Sequence, residues 1–450
     1  MSKELTNMSE IIHLGMDDID TPRGGCTTHF ASYIVECLSE KGAKWLDYPN
    51  LVRLNPNIPF RTRGNGAVSL QFSLDGYSES EILEEIEGKV STYIDEDYPN
   101  TNPGLVCFKG TIHPKIKWLS DQALWRVIPI KLVARLITEL EISTYSQGNK
   151  RGLIGALASI GNQLKNDYTY EFIAYRDREA THESRNVDLQ SVIDMERALG
   201  DKLFSSLDNH DGRLLIEPHG SDPVLFGIRG EDPRSVSSAS KFIKCGQEID
   251  RWMIFRTNQG TAQHLQNMIE INKIRPYLSL QVTGKVSSEP QMHEGGHVFF
   301  NISDTSGEIA CAVYEPTGPF RELAMRLIIG DIVTVSAGVR PASSTHGMTL
   351  NIEGLEIVET ATEMKPTNPI CPVCLKRMKS AGNNKGFKCV KCGYRDREGK
   401  KIETIIDREV SSGVYLPPLS AQRHLTRPYS RLNRNNTSVP VEMIKEWHCP

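Results

Sequence analysis

Over the first 277 residues, hydrophobic positions switch repeatedly between strand spacing and helix spacing. IIHLGM fits a buried strand, THFASYIVECLSEKG a helix closed by Gly42, and LVRLNP and AVSLQFSLDG two further strands. SESEILEEIEGKV has helical spacing, as does ALWRVIPIKLVARLITELEI, which Pro129 interrupts. GLIGALASIGNQL predicts a helix of small residues, YTYEFIAYR a strand and SVIDMERAL a helix. LLIEPHGSDPVLFGIRGE reads as two short strands around a turn, and RWMIFRTNQG as a further strand. This mixture predicts two α+β units, over residues 1–120 and 121–277.

Past residue 278 the spacing becomes mostly strand-like. LSLQVTGKV, HVFFNISDTSG and EIACAVYEP are strands, PFRELAMRLI is a helix, and DIVTVSAGV and MTLNIEGLEIVE are strands again. The order β-β-β-α-β-β over residues 278–360 matches a five-stranded OB barrel, whose open face commonly binds single-stranded nucleic acid. Another small barrel without a ligand is the alternative. A polar, Pro-containing linker, ATEMKPTNP, leads into residues 366–402. There CPVC and CVKC place Cys371, Cys374, Cys389 and Cys392 on two knuckles, the pattern of a structural zinc ribbon with no open ligand position. Residues 403–450 form a basic C-terminal tail.

Composition adds less than placement. The formal charge of the 450 residues is −4, which on its own argues against a nucleic-acid binder. Residues 371–402, however, carry ten Lys/Arg against two acids, whereas the barrel carries four against ten. Lys376, Arg377, Lys385, Lys388, Lys391 and Arg395 are therefore candidate contacts to an RNA backbone, with Arg423, Arg427, Arg431 and Arg434 of the tail beside them. A merely soluble lysine-rich surface is the plainer alternative. No run approaches the ~20 apolar residues of a membrane span. The polar start, MSKELTNMSE, has no apolar signal core, so a cytoplasmic protein without membrane contact is expected.

Between the first strand and helix, Asp17, Asp18 and Asp20 crowd three carboxylates into four residues. They repel one another unless a divalent cation shares them. Gly24 and Gly25 let backbone N–H groups approach a ligand, and Thr27 and Thr28 open a helix whose N-terminus favours phosphate. The pattern suggests Mg²⁺ with a nucleotide phosphate; a solvated acidic turn with a threonine cap is equally compatible. Arg61 and Arg63 stand just before a Gly64-Asn65-Gly66 turn and fit either phosphate gripping or an ordinary hairpin. Polar loops at 145–152, 218–223, 227–230 and 255–260 are further candidate binding segments, and His219 within them fits either a general base or, the plainer reading, a structural loop histidine.

The runs GMDDIDTPRGGCTTH and RLNPNIPFRTRGNGA resemble the archaeal isoleucine-tRNA 2-agmatinylcytidine synthetases. So do NKRGLIGALASIG, PHGSDPVLFGIRG and FRTNQGT, and the resemblance extends over residues 11–402. It implies a multidomain α+β fold: an atypical kinase-like α/β domain, a ferredoxin-like domain, an OB fold and a zinc ribbon. It also implies an ATP-dependent ligase that joins agmatine to C2 of the wobble cytidine in the CAU anticodon of isoleucine tRNA, so that the tRNA reads AUA. By the same resemblance Thr27 becomes phosphorylated, and Asp17, Asp18 and Asp20 bind Mg²⁺ and ATP phosphates. Gly24, Gly25, Thr28, Arg61, Arg63, Gly64 and Asn65 complete the ATP site; Zn²⁺ is structural. The family commonly has Thr where this chain has Ile19, and Asp where it has Ala262. The rival classes are a non-catalytic single-strand binder and a kinase whose tail docks RNA.

Overall fold

A computed structural model describes residues 10–21, 24–94, 98, 100–437 and 442–449. Most of the polar start, residues 1–9, lies outside them. The N-terminal half comprises β1 (Ile12–Asp17), α1 (Thr27–Glu40), β2 (Asn50–Arg53), β3 (Gly66–Ser73), α2 (Glu79–Tyr93), β4 (Gly104–Lys109), α3 (Pro114–Ala123), α4 (Ile130–Glu139), β5 (Ser143–Ser146) and α5 (Gly152–Gly161). It continues with β6 (Thr169–Tyr175), α6 (Leu189–Leu199), β7 (Val224–Gly230), α7 (Pro233–Ser240) and β8 (Arg251–Thr257). Among the described residues, no helix is long and apolar enough to cross a membrane.

These strands form one continuous sheet in the order β5-β4-β1-β3-β2-β8-β6-β7, not two separate ones. The join is a short parallel register, Arg256 beside Asn50 and Thr257 beside Leu51. The expected break after residue 120 does not coincide with this sheet. Beyond that point β5 still pairs with β4, Tyr145 opposite Leu105, and α5 packs on β1, β3 and β4. Three omissions explain the error: GLVCFK is β4, STYS is β5, and the chain is already helical from Pro114. The stretch 214–230 likewise holds one named strand, β7, where two were expected.

Alternation along β1 assigns the two faces. Ile12, Leu14 and Met16 point into a core with Phe30, Ile34 and Leu38 of α1 and Ile82 and Ile86 of α2. On the opposite face α3, α4 and α5 supply Ile116, Val133, Ala156 and Leu157. The small residues of α5 are needed there: a side chain at Gly15 would collide with the Ala156 carbonyl, and one at Gly104 with the Gly152–Leu153 peptide.

The barrel has the expected element order. Ser279–Val286, Val298–Asp304, Gly307–Val313, Ile332–Arg340 and Thr349–Glu359 close into a ring, with the helix Pro319–Met325 after the third strand. A further module holds three two-residue strands around Cys371, Met378, Phe387 and Cys389.

The tail corrects the sequence reading most. Instead of standing free as a basic arm, it folds back across the molecule. Gly413–Tyr415 pairs with the last barrel strand, Trp447 joins the core beside Tyr48, and His448–Cys449 pairs with β8. Its arginines are spent on the protein: Arg423 pairs with Glu353, Arg427 and Arg431 with Asp167, and Arg434 with Asp201. The basic stretch therefore anchors a strap, and its charge is largely neutralised within the protein.

Candidate active site

The join between the two halves of the sheet leaves a cleft of about 540 Å³. Its walls include Thr27 and Thr28 of α1, Arg53 of β2, Arg61, Arg63 and Gly64 of the following loop, Glu171 of β6 and Arg229 of β7. His219, Gly220 and Asp222 close one side, and the strap residues Gln422–Leu425 complete the wall. His219, read as an ordinary loop histidine, thus faces the cleft.

Helix α1 begins without a side-chain cap from its own N-cap residue, Cys26. Asp20 supplies one from upstream: its Oδ1 accepts from the Thr27 N–H at 2.9 Å, and its Oδ2 from the Thr62 hydroxyl at 3.1 Å. The Tyr93 hydroxyl fixes the Cys26 backbone, accepting from its N–H at 3.1 Å and lying 3.2 Å from its carbonyl. The next N–H groups, of Thr28 and His29, have no intrahelical acceptor and carry the positive end of the helix dipole. Thr27 is buried, and its Oγ1 accepts from the Ile19 N–H at 3.3 Å.

The three carboxylates do not converge on one point. Asp20 lines the cleft, whereas Asp17 is wedged under α5, where any side chain at Gly155 would meet its carboxylate. Asp18 adopts a left-handed backbone (φ 57°) and faces Asn102, with Oδ1 buried and unpartnered. Desolvation, aided by Asp20, raises its pKa to about 7, and Asp17 is raised well above the usual carboxylate range by desolvation and by Asp18. An unpartnered oxygen beside mutually repelling carboxylates fits a divalent cation held by Asp18 and Asp20.

Arg63 also has a positive φ, 43°. Its guanidinium donates to the Thr21 and Gly25 carbonyls at 3.2 and 2.9 Å and pairs with Asp222 at 3.2 Å, tying the acidic turn to the far wall. Gly24 (φ 111°) and Gly25 shape that turn but do not line the cleft. Asn65 is likewise a turn residue (φ 51°), donating through Nδ2 to the Asn55 carbonyl at 2.8 Å. The sequence reading passed over Arg53 and Glu171, and it assigned Arg423 of the strap to RNA instead of to this cleft. Glu171 accepts from Arg229 Nε at 3.1 Å and from the Gln259 amide. Ile19 is fully buried, and Ala262 lies under the strap, its N–H donating to the Leu425 carbonyl at 2.8 Å, outside the cleft lining.

The four knuckle cysteines do converge. Their Sγ atoms all lie within 4.8 Å of one another, the only such group of potential metal ligands among the described residues. The Cys392 N–H holds the Cys389 thiol down to about 6, so a thiolate is available near neutrality. Lys376, Arg377, Lys385, Lys388, Lys391 and Arg395 are all exposed around this core.

Family models match four consecutive regions: the TiaS TCKD domain at residues 13–149, the TiaS FLD domain at 150–264, an OB-fold nucleic acid binding domain at 280–358, and the TiaS C-terminal zinc ribbon domain at 368–410. The isoleucine-tRNA 2-agmatinylcytidine synthetase TiaS of Staphylothermus marinus is 41% identical over 96% of both chains. The chain belongs to the TiaS family. The TiaS of Methanosarcina acetivorans is 38% identical over 95% of this chain and 99% of its own. Among solved structures, a complex of TiaS with isoleucine tRNA and ATP aligns with TM-score 0.84 at 36% identity, covering 94% of this chain and 98% of that one. A complex of TiaS with isoleucine tRNA, AMPCPP and agmatine aligns with TM-score 0.81 at 33% identity, over the same fractions.

Proposed function

We propose that this TiaS-family chain uses ATP to join agmatine to C2 of the wobble cytidine of isoleucine tRNA with a CAU anticodon. The observation that carries this reading is the cleft itself: the N-terminal residues of α1, five arginines and Asp20 border one space. The C2 carbonyl of cytosine has no leaving group. Transfer of the ATP γ-phosphoryl to its oxygen creates one and releases ADP. The agmatine nitrogen then bonds to C2, the C2–O bond breaks, phosphate departs and the amine loses a proton.

In this reading the α1 terminus, Thr28, Arg61, Arg63 and Gly64 receive the phosphates, while Gly24, Gly25 and Asn65 set the shape of the loops around them. Thr27 is the residue that becomes phosphorylated. Asp18 and Asp20 hold Mg²⁺, which neutralises phosphate charge when bound; Asp17 supports the α5 contact instead of binding the ion. The exposed lysines and arginines of the ribbon grip the tRNA backbone, and the barrel presents the cytidine, which must leave its stack to react. A cytoplasmic location agrees with four cysteine thiols gathered in reduced form for zinc.

The test is incubation with ATP, Mg²⁺, agmatine and a CAU-anticodon tRNA transcript, followed by nuclease digestion and mass spectrometry. One cytidine heavier by agmatine minus water is the expected product. Intact tRNA binding without that product would exclude the ligase reading. Phosphopeptide mapping should place phosphate on Thr27.

A further inference from the structure

We propose that His424 of the C-terminal strap contacts substrate, its Nε2–H donating a hydrogen bond to an oxygen of the phosphate group transferred in the cleft. The assignment rests on the phosphoryl chemistry proposed above.

The strap holds His424 in place from several directions. The Gly260 N–H donates to the His424 carbonyl at 2.9 Å, and the Ala262 N–H to that of Leu425 at 2.8 Å. On the preceding residue, the Arg423 guanidinium pairs with Glu353 of the barrel at 3.0 Å and donates to the Pro56 carbonyl and Asn57 Oδ1 at 2.9 and 3.0 Å. The imidazole lies against the Arg63-Gly64-Asn65 loop so closely that a Cβ on Gly64 would come within 2.8 Å of its Cδ2. His424 is nonetheless exposed, and it lines the same cleft as Thr27, Arg53 and Asp20.

Its tautomer follows from its partner. Arg229 donates to His424 Nδ1 at 2.8 Å, while its Nε is engaged by Glu171 at 3.1 Å. A guanidinium can only donate, so Nδ1 carries no proton and the proton of the neutral ring sits on Nε2. The charged groups that line the cleft with it are Arg53 of β2, Arg229 of β7, Glu171 of β6, Arg61, Arg63 and Arg423 of the loops, and Asp20 and Asp222. Nδ1, accepting from Arg229, leaves the ring uncharged, and desolvation together with Arg53 and Arg229 pushes its pKa down in the same direction. A fixed neutral donor among arginines suits an oxygen on which negative charge builds during transfer, and requires no proton movement.

The experiment compares His424→Ala and His424→Gln with the wild-type enzyme in the tRNA agmatinylation assay, with tRNA binding as a check on folding. Removing the donor should lower kcat about 100-fold while changing KM for ATP and agmatine less than about threefold. Glutamine, whose amide nitrogen reaches the Nε2 position, should recover about tenfold of that loss. Wild-type kcat should show no limb near pH 6.5 that vanishes in the glutamine variant.

An alanine variant within twofold of wild type overturns the assignment. So does a glutamine variant no better than alanine despite intact tRNA binding, or a pH limb that the glutamine change removes. If alanine impairs folding, the glutamine variant alone decides: kcat about tenfold below wild type supports the donor role, while kcat within twofold of wild type or a 100-fold loss with intact tRNA binding overturns it. If the wild type hydrolyses ATP yet yields no agmatinylated tRNA, the proposed reaction fails separately. The same two variants, read by phosphate release, then still judge His424.

Discussion

The zinc ribbon and the cleft gather their chemical groups in opposite ways. All four ribbon thiols lie between residues 371 and 392, on two knuckles that a few hydrogen bonds set up locally. The cleft draws on Asp20, Arg63, Glu171, Arg229 and His424, carried by both halves of a shared sheet and by a strap more than 400 residues from the first of them. A local site can be lost without harming the rest of the molecule. A dispersed one depends on contacts that contain none of its own chemistry.

The sharpest test of that dependence is Arg431→Ala. Arg431 is buried and binds Asp167, Glu231 and the Gly260 carbonyl, pinning the strap beside the peptide that holds His424. Removing this buried partner leaves Glu231 without its arginine and Asp167 with Arg427 alone, and should cost about 3–5 kcal/mol in denaturant unfolding. Agmatinylation should fall with it, although Arg431 does not line the cleft. A cost below about 1 kcal/mol would mean that the strap is not a structural tie.

Next in size is Asp20→Asn, which weakens the acceptor for the Thr27 N–H and removes a negative charge from the cleft. A loss of about 10²–10³ in kcat is expected. Unchanged tRNA affinity by filter binding must accompany it; joint loss would show that the turn supports the fold only. Cys371→Ser should do the reverse. Without zinc the small ribbon core has little to hold it, and tRNA should bind about tenfold more weakly, with a shallower salt dependence. ATP affinity should stay within about twofold, as expected for a separable module. Weakened ATP binding would erase the contrast between the two regions.

The same contrast explains what could be read from the chain. The knuckles and the five barrel strands are short-range patterns, and they stand where spacing placed them. The acidic turn and Thr27 were legible as a strand-to-helix loop, and Arg63 as part of a turn between two strands. Glu171 and Arg53 were not: each sits in a strand that spacing identified correctly, but only pairing across the sheet turns it toward the cleft. The strap was read with the wrong partner, because a run of arginines looks the same whether its counter-charges are phosphates or Asp167, Glu231 and Glu353. The break after residue 120 failed for a related reason. GLVCFK is too short for its pattern to stand out, and nothing local announces that β2 and β8 will pair.

The smallest change in stability expected is the most specific to a functional turn. Asp18 is half-buried, strained at φ 57° and left with an unpartnered oxygen, so its charge is a burden in the folded protein without a cation. Its folded pKa, raised to about 7, exceeds that of the unfolded chain. The native state therefore binds the proton more tightly, and stability falls as pH rises from about 4 to about 7. Asp18→Asn removes that fall, and asparagine tolerates the left-handed backbone. In the presence of EDTA at pH 8 the variant should be more stable than wild type by about 1 kcal/mol, reduced from the buried limit because solvent reaches the carboxylate. The difference should shrink as pH is lowered through that window, while agmatinylation with Mg²⁺ is lost at every pH. A variant less stable than wild type at pH 8 would mean that Asp18 holds the turn together, leaving Asp20 as the cation's main ligand.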